Sequence, residues 1–434
     1  MARQLKKADW DIGAAAHLGG RAGFGEPPDK LDRWAAQGLE ATVQELLHPE
    51  SAPPPPPGCA VPAQFASLRG RVKRATSAEE KQGANRALQQ AVNEQLFNLV
   101  SWWTEQMVTS QAPLVEKMTL FWHGHFATSA EKVRSPYKLW QQNETFRSQA
   151  LGNFGTLTKA ISRDPAMMVY LDLASSKAEH PNENFAREVM ELFTLSEGNY
   201  TENDIKESAR AFTGYRIDPA TEQFRFAPRQ FDAGSKAFLK ETGNWTGDQI
   251  IDIILKQPSC ARFITAKIWK FFVYDEPKPE LIDDLAGIFR RYHYEIRPLL
   301  ETIFSSEEFY SERARNAIVK SPVQYLVQAG RTLNVQIPTG RTLINVYRQM
   351  GQLPFYPPNV KGWDGGKSWI NTATLGYRYQ LARQLVAGMT VRNEPRSAAS
   401  PQTMNAADQP DIIHLAPIPI EKLATEQDRS NPPA

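Results

Sequence analysis

The sequence predicts a mainly α protein, a large multi-helix domain with one short β-hairpin and long ordered loops. Three observations carry that expectation. Apolar residues recur at helical spacing along most of the chain, as Phe185, Val189 and Leu192 do at i, i+4 and i+7. Capping boxes mark helix starts at Thr201-Glu-Asn-Asp204 and Thr246-Gly-Asp-Gln249. Only residues 222–240, with Gln223-Phe-Arg-Phe226 and Gln230-Phe-Asp-Ala-Gly234, read as extended, which predicts the hairpin.

The elements follow in order. Asp9 to Leu18 is helical and runs into Gly19-Gly20-Arg-Ala-Gly-Phe-Gly25, read as a glycine-rich turn that lets backbone approach a neighbour closely. It is no dinucleotide fingerprint, because the glycine spacing is wrong and a helix precedes it. Short helices are expected near 29–36 and 38–47, then a stiff polyproline spacer from Pro53 to Pro57. One long helix over 77–110 begins polar and turns apolar through Leu96, Leu99, Trp102, Trp103 and Met107. The next, from Pro113 to about Trp122, runs into His123-Gly124-His125. Helices at 136–149, 153–163 and 165–173 precede the Phe185 helix, and one from 202 to about Phe212 follows it, ending at Gly214. A dense series is expected at 248–256, 259–273, 279–292, 296–304 and 320–333. Gln352 to Trp369 reads as a long irregular loop, followed by a helix at 371–391. Past Asn393 the composition loses periodicity, which predicts disorder. The divisions expected are N-terminal helices with the glycine turn (1–52), a proline-rich linker or surface excursion (53–76), the main helical domain (77–392) and a disordered tail (393–434).

Composition narrows the function. Fifty basic against 48 acidic side chains give a net charge of +2 with no long single-sign run, which argues against a nucleic-acid or membrane-surface partner. Cys59 and Cys260 are too few for a disulfide framework or a cysteine-built metal site, although they could form one bridge. No apolar run approaches the ~20 residues of a membrane span. The N-terminus carries no export signal as written, which predicts a cytoplasmic protein, or a periplasmic or secreted one if this is a processed form.

The densest chemistry lies in Pro181-Asn-Glu-Asn-Phe-Ala-Arg-Glu-Val-Met-Glu-Leu-Phe-Thr-Leu195. On a helix, Asn184, Glu188 and Glu191 share a wedge of about 60° beside the apolar stripe, with Arg187 just outside it. Carboxylates held so close repel, so one is protonated, paired or metal-bound. The alternative is a structural lacing in which Arg187, Lys177 or a distant arginine neutralises them. His123 and His125 are candidate metal ligands, with Glu188, Glu191, Asp232 or His17 available as a third, but only if the segment is extended; on a helix, i and i+2 lie about 200° apart. The structural reading instead places His123 in a last helical turn with Gly124 just beyond it. Asp232 and Lys236, four apart across a glycine, suit an anion or a plain Asp turn. Asn359, Trp363 and Trp369 suit a carbohydrate or peptide face, or a loop pinned on the core. Gly366-Lys367-Ser368 is no phosphate loop, since Lys361 stands where its first glycine belongs. His17 reads as a satisfied core histidine, and neither a G-x-S-x-G elbow nor H-E-x-x-H occurs.

Five blocks together resemble the bacterial domain-of-unknown-function family numbered eighteen hundred: His17-Leu-Gly-Gly-Arg-Ala-Gly-Phe-Gly25, Leu120-Phe-Trp-His-Gly-His-Phe-Ala-Thr-Ser129, Pro181 to Glu188, Glu197-Gly-Asn-Tyr-Thr-Glu-Asn-Asp-Ile205 and Pro357-Pro-Asn-Val-Lys-Gly-Trp363. The similarity spans roughly residues 10 to 390. It implies a bacterial, commonly exported protein, often encoded beside a sulfatase-like family. Phe231 stands where relatives usually carry His, and Gly19-Gly20 where they usually carry Leu-Arg. Two functions are expected. One is a binding or assembly partner for a sulfatase-like protein or a polymer substrate. The other is a metal-dependent hydrolase of an ester or glycoside of a polymer, with a divalent metal on His123, His125 and Glu188 or Glu191, and Arg187 or Lys236 steadying an anionic group.

Overall fold

A computed structural model describes residues 3–50, 54–60 and 65–392. The tail expected from 393 to 434, and parts of the 53–76 spacer, lie outside the described residues. The described residues up to Met389 form one compact unit.

The described chain is helical almost throughout. The N-terminal helices are α1 (Ile12–Ala22), α2 (Pro28–Gln37), α3 (Leu39–Leu47) and α4 (Ala66–Arg74), followed by the long α5 (Ala78–Thr109) and α6 (Pro113–His125). Then come α7 (Ala130–Val133), α8 (Pro136–Ser148), α9 (Phe154–Ser162), α10 (Pro165–Tyr170), α11 (Glu183–Glu191) and α12 (Glu202–Ala211). Strands β1 (Tyr215–Ile217), β2 (Phe224–Phe226), β3 (Lys236–Phe238) and β4 (Glu241–Gly243) interrupt the helices. The chain closes with α13 (Gly247–Lys256), α14 (Pro258–Phe272), α15 (Pro279–Arg291), α16 (Ile296–Phe304), α17 (Pro322–Thr332), α18 (Gly340–Met350) and α19 (Thr372–Arg392).

Local signals explain the starts. The boxes at Thr201 and Thr246 both form, and a third opens α5, where Ser77 caps the Glu80 amide and Glu80 returns the bond. Asp164 caps α10, accepting the Met167 N–H at 2.8 Å. The extended region makes two hairpins rather than one. Strand β1 pairs with β2 in the register Tyr215↔Phe226 and Ile217↔Phe224, and β3 pairs with β4. The second turns at Leu239 and Lys240, both at positive φ, without the Asn-Gly pair by which such turns announce themselves.

Two apolar clusters make the core. One gathers α1, α3, α9, α11 and α13–α16; the other gathers α5, α17, α18 and Phe355. Helix α6 feeds both, with Leu114, Met118, Phe121 and Trp122 in the first and Leu120 in the second. Its polar side chains are therefore buried with the rest, and they need partners. Glu116 finds Arg147 at 2.6 Å and the Trp103 indole N–H at 3.0 Å. Cys59 and Cys260 are free thiols, one in each cluster.

Candidate anion-binding site

The glycine-rich block is mostly helix. Asp11 caps α1 by accepting the Ala14 N–H at 2.7 Å, and the helix continues through Gly19 and Gly20 to Ala22. Gly19 permits close packing, since a Cβ there would sit 3.2 Å from the Trp34 ring. A Cβ on Gly20 would meet nothing within 4 Å, because Gly20 faces a cavity. That cavity, open to solvent on the Asn316 and Lys320 side, holds about 200 Å³. Its walls are the Ala16, His17, Gly20 and Arg21 edge of α1, Lys117 and the Phe24 and Phe271 rings, and the run from Asn316 through Lys320 to Gln324 and Gln328.

The charges in this wall are all of one sign. Lys117 is 4% exposed; its ammonium donates to the Gly23 carbonyl at 2.8 Å and lies over the Phe24 ring at 4.9 Å. Arg21 donates through Nη2 to the Ala314 carbonyl, and its Nη1 is buried without a partner. Among the described residues no carboxylate lines the cavity, and neither Arg21, Lys117 nor Lys320 joins an ion pair. Burial, followed by the charges of Arg21 and Lys320, brings the Lys117 amine down to about 7. Burial and then Arg21 lower Lys320 as well, with Arg378 adding to the effect. The His17 Nε2 lies 2.9 Å from the Phe309 carbonyl, which fixes its proton there; burial and then Arg21 push its pKa to about 4, so the ring is neutral. Arg378, which donates to the Lys320 carbonyl at 3.0 Å, keeps two further buried N–H groups unpartnered. Lys117 is buried and Arg21 half-buried, and with the exposed Lys320 they only repel one another, so Lys117 lacks the counter-charge that makes such burial tolerable. An oxyanion entering the cavity would supply it, with charge-assisted bonds from the guanidinium and two ammonium groups.

Apart from His17, the residues singled out in the sequence lie elsewhere, and among the described residues they are not gathered into a metal site. Helix α11 forms and buries Phe185, Val189 and Met190. Glu188 is half-buried, and its carboxyl is raised by burial and then by Glu191. Glu191 accepts the Tyr200 hydroxyl at 3.1 Å. Arg187 turns instead to Glu202, in a two-pronged pair at 2.8 and 2.9 Å, and Asn184 is exposed in the first turn.

Helix α6 runs through His123, Gly124 and His125, so the two rings leave it on different sides. The His123 Nε2 accepts the Phe355 N–H at 3.0 Å, while the His125 Nε2 lies 3.1 Å from the Phe193 carbonyl and its Nδ1 3.1 Å from the Lys267 ammonium. Burial pushes His123 down to about 3, and His125 is also well below the usual range. Among the described residues no group of three or more His, Cys, Asp or Glu side chains is placed to hold a metal ion.

Asp232 pairs with Arg210 at 2.7 Å and caps the Gly234 N–H; Lys236 is buried and donates to the Asp232 and Gly234 carbonyls. Asn359 accepts the Lys361 N–H in a turn. Trp363 is half-buried, 5.8 Å from the His123 ring, and Trp369 is buried. Gly362, at φ +85°, lets this loop close on the Gly124 carbonyl.

Sequence reasoning passed over Arg21, Lys117 and Lys320. One signal was available: Lys117 stands in Leu114-Val-Glu-Lys-Met-Thr-Leu-Phe-Trp122, with apolar residues at i−3, i+1 and i+4, where no solvated face exists.

Fold and site together define a mainly helical protein with an uncompensated cationic cavity beside its N-terminal helix. A family model, Protein of unknown function (DUF1800), matches residues 17–428, and the chain belongs to that family. No curated protein and no solved structure matches it.

Proposed function

We propose that this chain is an anion-binding protein whose cavity between α1, α6 and α17 receives a sulfate, phosphate or carboxylate group. One observation carries the reading: Arg21, Lys117 and Lys320 line one cleft with no carboxylate among them, and Lys117 at its base is buried. Binding fits better than turnover, since no serine, threonine, cysteine or carboxylate lines the cavity and its histidine is a neutral ring already bonded to Phe309. A polymer substrate or a sulfatase-like partner protein would engage by presenting such a group. The metal-dependent hydrolase is the weaker reading, because the His123 Nε2 and both His125 ring nitrogens already have partners.

The test is calorimetric titration of the full chain with sodium sulfate at constant ionic strength, repeated on Arg21→Gln and Lys320→Gln. Saturable binding that each substitution weakens at least ten-fold is expected. No saturable binding by the unaltered protein, or equal binding by the variants, overturns it.

A further inference from the structure

We propose that the ligand is a phosphate or sulfate monoester of a hydroxyl-bearing molecule, a sugar ester being the compact case, and not a free inorganic ion. This rests on the anion reading and adds the body that carries the anion.

Size is the first argument. A cavity of about 200 Å³ takes on the order of ten water-sized groups, at roughly 10–15 Å³ each. An inorganic oxyanion held by Arg21, Lys117 and Lys320 fills less than half of that. The remainder faces Asn316, Gln328, Ile318 and the Phe24 ring.

Hydrogen-bonding chemistry is the second. Oxyanion oxygens only accept, and so do amide oxygens. The Asn316 and Gln328 carboxamides line the cavity, and neither side chain has a hydrogen bond within the described protein. Gln324 is different: its Oε1 accepts the Ser321 N–H at 3.1 Å, which leaves its amide N–H groups to donate. A bare ion satisfies the cations but, having no proton, donates nothing to the Asn316 and Gln328 oxygens, which are left to solvent. Hydroxyl groups donate to those oxygens and accept from the three amide N–H sets. A hydroxylated body bound through its ester anion therefore uses every polar group in the wall, with its C–H faces against Phe24 and Ile318.

The experiment titrates the full chain with inorganic phosphate, inorganic sulfate, glucose 6-phosphate, glucose 6-sulfate and n-propyl phosphate. At least one sugar ester is expected to bind ten-fold or more tightly than its inorganic ion, and more tightly than n-propyl phosphate; which one does so identifies the oxyanion. Gln328→Met keeps the side-chain length, and Asn316→Gly tolerates the φ of +57° there. Each variant is expected to lower the ratio of sugar-ester to inorganic affinity, both measured on that variant, at least three-fold. Sugar esters that bind no better than the inorganic ions overturn this proposal and leave the anion reading standing. Failure of both the ions and the esters to bind removes the anion reading itself.

Discussion

Replacing Lys117 with methionine exchanges a buried ammonium for an apolar side chain of similar length. Burial and the neighbouring charges lower this amine from 10.5 to about 7. At 1.36 kcal/mol per pH unit, the folded state then bears on the order of 4 kcal/mol of protonation cost at neutral pH. Losing the bond to the Gly23 carbonyl costs the variant about 1–3 kcal/mol, and losing the cation–π contact with Phe24 about 1 kcal/mol. The balance favours Lys117→Met by ~1 kcal/mol at pH 7 in the absence of an oxyanion. The pH dependence has a definite sign. Between about 7 and 10.5 the unfolded chain holds a proton that the folded protein has released, so this residue makes stability rise with pH across that window. The variant's advantage is therefore largest below pH 7 and fades toward pH 10. A bound anion reverses the preference by drawing the proton back. Sulfate affinity of the unaltered protein should fall as pH rises above 7, and Lys117→Met should bind more weakly with a shallower pH dependence, since Lys320 is the ammonium that remains. Sulfate is the right probe because it does not titrate in this range. Urea unfolding and sulfate titration at pH 6 and pH 9 read both effects. A variant destabilised by more than about 2 kcal/mol at pH 6, or unaltered protein binding sulfate equally at both pH values, refutes the reasoning.

Two further predictions concern the frame around the site. Arg147→Met strands the Glu116 carboxylate, which is 3% exposed and loses its bond at 2.6 Å; a loss of about 3–5 kcal/mol in urea unfolding is expected, and Glu116→Leu in the same chain should recover most of it. Gly362→Ala places a methyl group against the Gly124 carbonyl at a φ of +85°; a loss of roughly 2 kcal/mol or more is expected, with sulfate binding retained by the protein that folds.

Local rules carried the fold well, because helix starts are written in adjacent residues. Thr201 and Asp204, Thr246 and Gln249, and Asp164 before Pro165 each bond within one turn. The rule failed where tertiary packing outweighed propensity. Gly19 and Gly20 read as a turn, yet burying α1 against Trp34 holds them helical. Helix α18 hides in a stretch broken by Pro338 and Gly340, although Leu343, Ile344 and Tyr347 bury its face. The cavity was illegible for another reason. Its cations come from residues 21, 117 and 320, three ordinary-looking charges whose juxtaposition only the fold creates. The histidine pair was conspicuous because its members are neighbours in sequence, and the helix that carries them is what separates their rings.

That helix, α6, leaves only Val115 and Gly124 partly open to solvent. A rod enclosed on all sides cannot roll to accommodate a bulkier residue, and it has no wet stripe on which changes are harmless. Saturation mutagenesis across it should therefore return intolerance at every position but Val115, Lys117 and Gly124, lacking the three-to-four-residue rhythm that surface helices display.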